Sequence, residues 1–525
     1  MSSHVERLGR WVAELSYDTI PDDTRRAARF QLVNMIAAVH AAARSHAVAP
    51  VLEGIRAYAA PGRATFLAGG ARLGPADAAF ANAACSMAED YDDIVWMGHT
   101  CHSAVFASLA VAEHEGKTGR DLVCAIVAAN EVGGRLGASC LLGPLNGQMW
   151  TFIHLASAAA ASAKLLALDG EKTAHALAIA LSQPNFALQP GFLVPSSKLL
   201  AAATPTQTGI QAAYFARAGM TGHARILEDR RGFWSRFSFL PLPMMLDGLG
   251  EAWVTETLAF KTYPGCHYFQ TALTAIDRIR ATWPGLGPDD VRSVRIETTQ
   301  LACEATRFAS EYVAEAGLSP VSVNFDLAMS AALLLHAGRL SPAELDVDYL
   351  ARHEEALRRL ARRIEVRHDP TLTAKVIDSA RGLNAGRAAL ASIRPLDVVR
   401  LARRYREEYR SQLVSAKDLA RLVRALASLP RRPATARGSA VPLAFPSRVT
   451  IELADGRRAV EQIDVPVGSF YSADAPRELE RKFLRETSPA LGEDAARAAL
   501  LAGLSVEQHD LGKLVARMST KGSAR

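Results

Sequence analysis

Between residues 5 and about 258 the chain repeats one pattern: apolar residues at helix spacing, interrupted by short Gly, Pro or Ser breaks. Small residues, alanine above all, dominate these stretches, so neighbouring helices can approach closely. The pattern commits the first half of the chain to helices. "PDDTRRAARFQLVNMIAAVHAAA" (21–43) opens with proline and acids, which suit the positive end of a helix. "SAVFASLAVAEHEG" (103–116) offers Ser103 as an N-cap and Gly116 as the residue just past the end. "TGRDLVCAIVAANEVGGRLG" (118–137) reads as another helix, and "ASAAAASAKLLAL" (156–168) as one buried among helices.

The pattern changes near "LAFKTYPGCHYFQTALTAIDRI" (258–279), where a Tyr-Pro-Gly turn leads into a helix. "DVRSVRIETT" (290–299) alternates as a strand does, and "SRVTIELADGRRAVEQIDVP" (447–466) reads as a hairpin turning at Asp-Gly. Between them, 372–429 is helical and Arg-rich, and the Pro/Arg/Ser stretch 430–447 has the composition of a flexible linker. The tail, 494–518, returns to helix. At 525 residues the chain is too long for one simple core, so two domains are expected.

A net charge of +6 over this length is a weak excess and no nucleic-acid signature. The Arg-rich helices read as a solvated face. Six scattered cysteines form no CxxC pair, which argues against structural zinc and disulfides and fits a reducing cytoplasm. The opening "MSSHVERLGRWVAEL" reads as an amphipathic helix and not a signal peptide. No apolar run is long and charge-free enough to span a bilayer, so no membrane association is expected.

One run concentrates chemistry. "EDYDDIVWMGHTCHS" (89–103) holds Glu89, Asp90, Asp92, Asp93, His99 and His102. Acids with two histidines can bind a metal ion, but these acids are adjacent and no HxxxH or ExxH partner occurs elsewhere. The reading preferred for the run is acid–base chemistry without a metal.

The order of segments resembles the MmgE/PrpD family, which includes 2-methylcitrate dehydratases, cis-aconitate decarboxylases and an iminodisuccinate epimerase. The likeness runs through "IPDDTRRAARFQLVNMIAAV", "AEDYDDIVWMGHTCHSAVFASLAVAEHEGKTGRDLVCAIVAANEVGGRL", "SSKLLAAATPTQTGIQAAYFARAGMTGHARILEDRRGF" and "FKTYPGCHYFQTALTAI". It continues more weakly in "SPVSVNFDLAMSAALLLHAGRL" and "RVTIELADGR". The resemblance implies a mainly α fold: a large all-helical domain (1–258, completed by 470–525) and a smaller α+β lid domain (259–469). The Arg-rich helical insertion would occupy about 372–446 of that lid. It further implies a homodimer, no metal and no organic cofactor. The implied chemistry is removal or delivery of a proton beside a carboxylate, during loss of water, loss of carbon dioxide or isomerisation.

Matched to the family's "DFDDT…HPS" stretch, Asp90 and His102 belong to the site, with His102 as general acid/base and Asp90 orienting it or holding a substrate hydroxyl. Asp92 and Asp93 read as loop and capping groups. The family's lysine matches Lys198, placed to bind a carboxylate or enolate oxygen. Other positions depart. Gln148, Ile94, Gln270 and Met329 stand where the family has histidine, threonine, histidine and tyrosine. These four, with the additional His99 and with His267, are the expected substrate-binding residues. His154 reads as a satisfied core histidine.

Fewer polar anchors argue against methylcitrate as the substrate and for another small carboxylate or carbonyl compound. The expectation is a cofactor-independent lyase or isomerase. An enolate-based cyclase of a specialised biosynthetic pathway, or a non-catalytic binding or scaffold protein, are the alternatives.

Overall fold

The computed structural model describes residues 2–43, 45–144, 148–193, 196–316, 318–409, 416–428 and 442–520. The alanine-rich segments form helices packed at small residues. A Cβ on Gly209, in helix Leu200–Arg217, would stand 2.5 Å from the Leu155 carbonyl oxygen of helix Gln148–Leu165. A Cβ on Gly133, in helix Gly119–Ser139, would strike Ser157 of that same helix. Helix Gln148–Leu165 is thus clamped between two neighbours at backbone distance, which bulkier residues would forbid.

Around this stack lies the larger core. Helix Asp22–Ala42 runs through it, and the late helices Ala475–Leu491, Glu493–Leu504 and Leu511–Met518 bury Leu479, Phe483, Leu500 and Met518 in it. The second core is built on a four-stranded sheet in the order Ile364–His368, Val291–Thr298, Ser447–Leu453, Arg458–Ile463. The first pair is parallel and the other two are antiparallel. Ser447–Leu453 buries every second residue, as a strand with one covered face should. The hairpin turns where expected, with Gly456 at φ 85° beside Asp455.

Two expectations are corrected. The helix expected from Ser103 starts earlier, as Cys101–Glu115, because Thr100 already has helical angles (φ −65°, ψ −23°). That shift places His102 in the first turn, where its side chain joins the preceding loop. Of the expected linker, 430–441 lies outside the described residues, and 442–446 is a packed strap. Leu443 and Phe445 are buried in the larger core, and the Phe445 carbonyl accepts the Thr271 hydroxyl at 2.6 Å.

The Arg-rich stretch forms helices Pro370–Ala380, Asn384–Ser392, Pro395–Tyr409 and Ala416–Ser428. Ala380, Leu383 and Ala389 join the larger core, and the Tyr405 hydroxyl donates to the Gly143 carbonyl at 2.8 Å. Among the described residues no helix is long and apolar enough to cross a membrane.

Candidate active site

Helix Pro75–Met87 ends and the chain enters the acidic run, now a loop between two helices. The loop's acids are buried, and its three aspartates have different tasks. Asp93 begins the short strand Asp93–Ile94, which pairs with Ala259–Phe260. Its carboxyl accepts from Gln31 Nε2 and Asn34 Nδ2, both at 3.0 Å, and burial pushes its pKa up to about 7. Below the loop, Lys482 Nζ donates to Asn34 Oδ1 and the Tyr91 carbonyl at 2.7 Å and to the Lys261 carbonyl at 3.0 Å. Burial lowers the pKa of this ammonium to about 7. These bonds hold the backbone on which the site is built.

Asp90 sits at φ 49°, a left-handed conformation that aspartate tolerates better than most residues. The turn delivers its carboxylate to the Lys198 ammonium, while Asn324 Nδ2 donates to its other oxygen at 3.2 Å. Lys198 lies between the faces of Phe192 and Phe325, 5.4 and 5.0 Å from their centroids.

Asp92 is the centre of the cluster. His99 Nδ1 lies 2.5 Å and His102 Nε2 3.2 Å from its Oδ2, and the Lys261 ammonium pairs with Oδ1. Burial alone would raise the Asp92 pKa, but His99, Lys261 and His102 together hold it well below the usual carboxylate range. Asp92 therefore stays ionised inside the protein. Lys261, although buried, is held charged by Asp92 and then Asp90, its pKa raised. His99 has its pKa lowered, by burial first, with Asp92 opposing.

Behind His102, its Nδ1 meets Ser86 Oγ at 2.8 Å, and that hydroxyl donates to the Ala83 carbonyl at 2.9 Å. His154 Nδ1 meets Ser103 Oγ at 3.0 Å, and its ring stands edge-on to His102 with centroids 5.6 Å apart. Burial drives the His154 pKa well down. His267 is buried edge-on to Phe445, at 5.1 Å, and burial lowers its pKa strongly too. Among the described residues His154 Nε2, Asn324 Oδ1 and both His267 nitrogens are buried without a hydrogen-bond partner.

Of the expected site residues, His99 and His102 meet at Asp92 and Asp90 pairs with Lys198, and Lys261 feels both aspartates. The roles differ from those expected. Asp92, read as a loop or capping group, is the carboxylate that touches His102, whereas Asp90 is committed to Lys198. Gln270 has a structural amide: Oε1 accepts from the Thr262 and Tyr263 amides at 2.9 and 3.1 Å, and Nε2 donates to the Tyr263 carbonyl at 2.9 Å. It pins the Tyr-Pro-Gly turn and keeps one Nε2 hydrogen uncommitted. Ile94 packs in the larger core and Met329 in the smaller one, at the start of helix Leu327–Ala337. Gln148 opens helix Gln148–Leu165, and its side chain lies outside the described residues.

Lys261, Asn324 and Ser86 were missed. Only Lys261 carries a signal, as a lysine between an apolar run and the turn in "LAFKTYPG". His154, read as a satisfied core histidine, is satisfied at one nitrogen only.

Donor atoms of Asp92, Cys101 and His102 lie within 4.8 Å of one another, the spacing of a metal site. The donor set does not fit one. The Lys261 ammonium already pairs with Asp92, so a cation bound there would meet a like charge.

Residues 6–241 match the model of the MmgE/PrpD N-terminal domain, and residues 263–392 that of the MmgE/PrpD C-terminal domain. A cis-aconitate decarboxylase of Aspergillus terreus is 27% identical over 305 residues, covering 54% of this chain and 62% of that protein. The cis-aconitate decarboxylase-like protein oryM of Aspergillus oryzae is 25% identical over 320 residues (56% and 65%). The human cis-aconitate decarboxylase is 26% identical over 233 residues (42% and 48%). The chain thus spans less than two thirds of the length of each of these relatives.

Proposed function

The chain belongs to the MmgE/PrpD family, and from that premise we propose that it is a cofactor-independent lyase or isomerase acting on a small carboxylate. One observation carries the reading: a buried, ionised Asp92 joins two imidazoles and an ammonium, and Asp90 of the same loop pairs with Lys198. Burying so many charges is costly, and a fold gains little stability from them. Perturbed titratable groups around unpartnered polar atoms are what a reaction site needs.

The chemistry follows from the groups present. A C–H bond beside the substrate carboxylate breaks, and its proton passes to an imidazole nitrogen. The electron pair moves into the carboxylate as an enediolate, whose added negative charge the Lys198 and Lys261 ammoniums stabilise. The pair then expels a β-substituent, or the carbon is reprotonated. Alternatively a carbon–carbon bond breaks, carbon dioxide leaves, and the same imidazoles protonate the carbon left behind.

The charge balance narrows the substrate class. Each lysine is paired with an aspartate, so the site has little excess positive charge for a tricarboxylate. A mono- or dicarboxylate suits it better than methylcitrate. The name cis-aconitate decarboxylase belongs to the relatives, and that compound goes into the test panel as one candidate.

The test is incubation in deuterated water with mono-, di- and tricarboxylates and their keto analogues, read by proton NMR. The wild type is expected to convert a member of the panel or to deuterate it beside the carboxylate. Asp92→Asn should slow that reaction by about 10²–10⁴-fold, the span of general acid–base catalysis. Absence of both exchange and conversion across the panel would overturn the proposal.

A further inference from the structure

We propose that Asn324 is a specificity-determining residue of this site, its side-chain oxygen accepting a hydrogen bond from a hydroxyl of the substrate, so that the substrate is a hydroxy acid; this rests on the proposed function above. Asn324 lies in the short helix Pro320–Phe325 and is fully buried. Its Nδ2 donates to the Glu89 carbonyl and to Asp90 Oδ2, both at 3.2 Å. A carbonyl oxygen and a carboxylate only accept, so the amide can face them in one way. Turned over, its oxygen would meet two acceptors, one of them the carboxylate that pairs with Lys198. The free atom is therefore Oδ1, and among the described residues this buried acceptor has no hydrogen-bond partner.

That oxygen stands beside the Asp90–Lys198 pair, because it shares one amide group with the nitrogen that touches Asp90. The Tyr-Pro-Gly turn closes in from the other side. The Gly265 amide donates to the Asp90 carbonyl at 3.2 Å, and the Cys266 amide to the Asn324 carbonyl at 2.8 Å. Turn, acidic loop and Asn324 are thus tied backbone to backbone. Gly265 has φ 114°, and a Cβ there would lie 3.5 Å from Asn324 Oδ1. Glycine keeps a side chain away from that oxygen. On the same turn His267 is buried with both ring nitrogens unpartnered among the described residues. A neutral imidazole carries one hydrogen and one lone pair in either tautomer, so the turn adds one donor and one acceptor whichever is present.

A buried acceptor without a donor is costly, so its natural partner is a group that arrives with the substrate. A carboxylate is the wrong partner, since its oxygens only accept. An ammonium is wrong as well. Asp90, the carboxylate beside Asn324, is already paired with Lys198, whose charge would repel a second cation. A hydroxyl is neutral, gives one hydrogen, and keeps lone pairs that an ammonium or an imidazole N–H can meet. The substrate class thereby narrows from small carboxylates to small hydroxy acids.

The experiment measures binding to the full chain by calorimetry. The ligands are matched sets of mono- and dicarboxylates with hydrogen, fluorine or hydroxyl at one carbon, in both enantiomers: propionate, 2-fluoropropionate and lactate; succinate, fluorosuccinate and malate; glutarate, 2-fluoroglutarate and 2-hydroxyglutarate. Aspartate is the amino counterpart of malate. Fluorine takes up nearly the space of a hydroxyl but has no hydrogen to give. In at least one set the hydroxy acid should bind about 5–100-fold more tightly than both its partners. Asn324→Ala should bring that ratio close to one. An asparagine that only holds the loop in place would, when lost, weaken all three ligands alike and leave the ratio standing. Asn324→Ser, whose oxygen is too short to reach, serves should Asn324→Ala not fold, and the comparison of hydroxyl with fluorine needs no variant. A ratio near one in every set, aspartate binding more tightly than malate, or a preference that survives the change at 324 overturns the assignment. Hydroxy acids that bind with the stated preference while nothing in the wider panel is exchanged or converted instead overturn the proposed function.

Discussion

Asp92 and Asp93 are neighbours in sequence with opposite acid strengths. Both are buried, but Asp92 faces two imidazoles and an ammonium whereas Asp93 faces two neutral amides. For Asp93 the folded pKa, about 7, lies above its ordinary value of 3.8. The folded protein therefore holds a proton there that the unfolded chain has lost, and the stability this confers is present below about pH 4 and vanishes as pH rises through about 7. Melting temperatures of wild type and Asp93→Asn, compared from pH 4 to 8, should show the wild type losing ground across that window. A constant difference would contradict the assignment. This contrast was not legible in the sequence. "DYDDI" shows acids side by side but not that one meets Lys261 and the other Gln31 and Asn34, partners that lie far along the chain.

At the scale of elements, helix Gln148–Leu165 carries His154 and is pressed by glycine-bearing faces on two sides. Its position along its axis sets where the His154 ring meets His102. Gly209→Ala would put a methyl 2.5 Å from the Leu155 carbonyl, so the helices must part. Overpacking of this kind costs about 1–3 kcal/mol. Urea denaturation should show a lower midpoint with an unchanged slope. The helices themselves were legible, because alanine-rich apolar spacing and cap residues such as Thr118 and Gly116 are local signals. The hairpin at Asp455 and Gly456 was legible for the same reason. The start of helix Cys101–Glu115 was not, since Ser103 caps well in isolation but its hydroxyl is bonded to Thr100. Nor was the burial of 442–446, where a Pro/Arg/Ser composition conceals Leu443 and Phe445.

Over the whole molecule, the site is assembled from distant parts of the chain. Lys261 and Asn324 reach the acidic loop from beyond the first helical half, and Lys482 reaches it from a late helix. The family resemblance and the mainly α fold with a smaller mixed unit were readable because they depend on segment order and periodicity. The bonds of Lys482 were not, because a lysine in "ERKFLRE" looks like any solvated helical lysine. Lys482→Ala would orphan the carbonyls of Tyr91 and Lys261, at about 1–3 kcal/mol each. It should lower both the melting temperature and the turnover of whichever carboxylate proves to be the substrate. A variant that melts lower but turns over normally would show that the loop does not need this support.

The bond from Lys482 to Tyr91 spans 391 positions. A ribosome releases the acidic loop early and that lysine late. Helices of the first half can pair while translation continues. The loop between them must wait, its carbonyls facing water, until helix Ala475–Leu491 has been made. A product ending before Ala475 would therefore carry every histidine and aspartate of the cluster and still lack the lysine that holds the loop's backbone. The polar groups of the site are thus made long before the lysine that frames them.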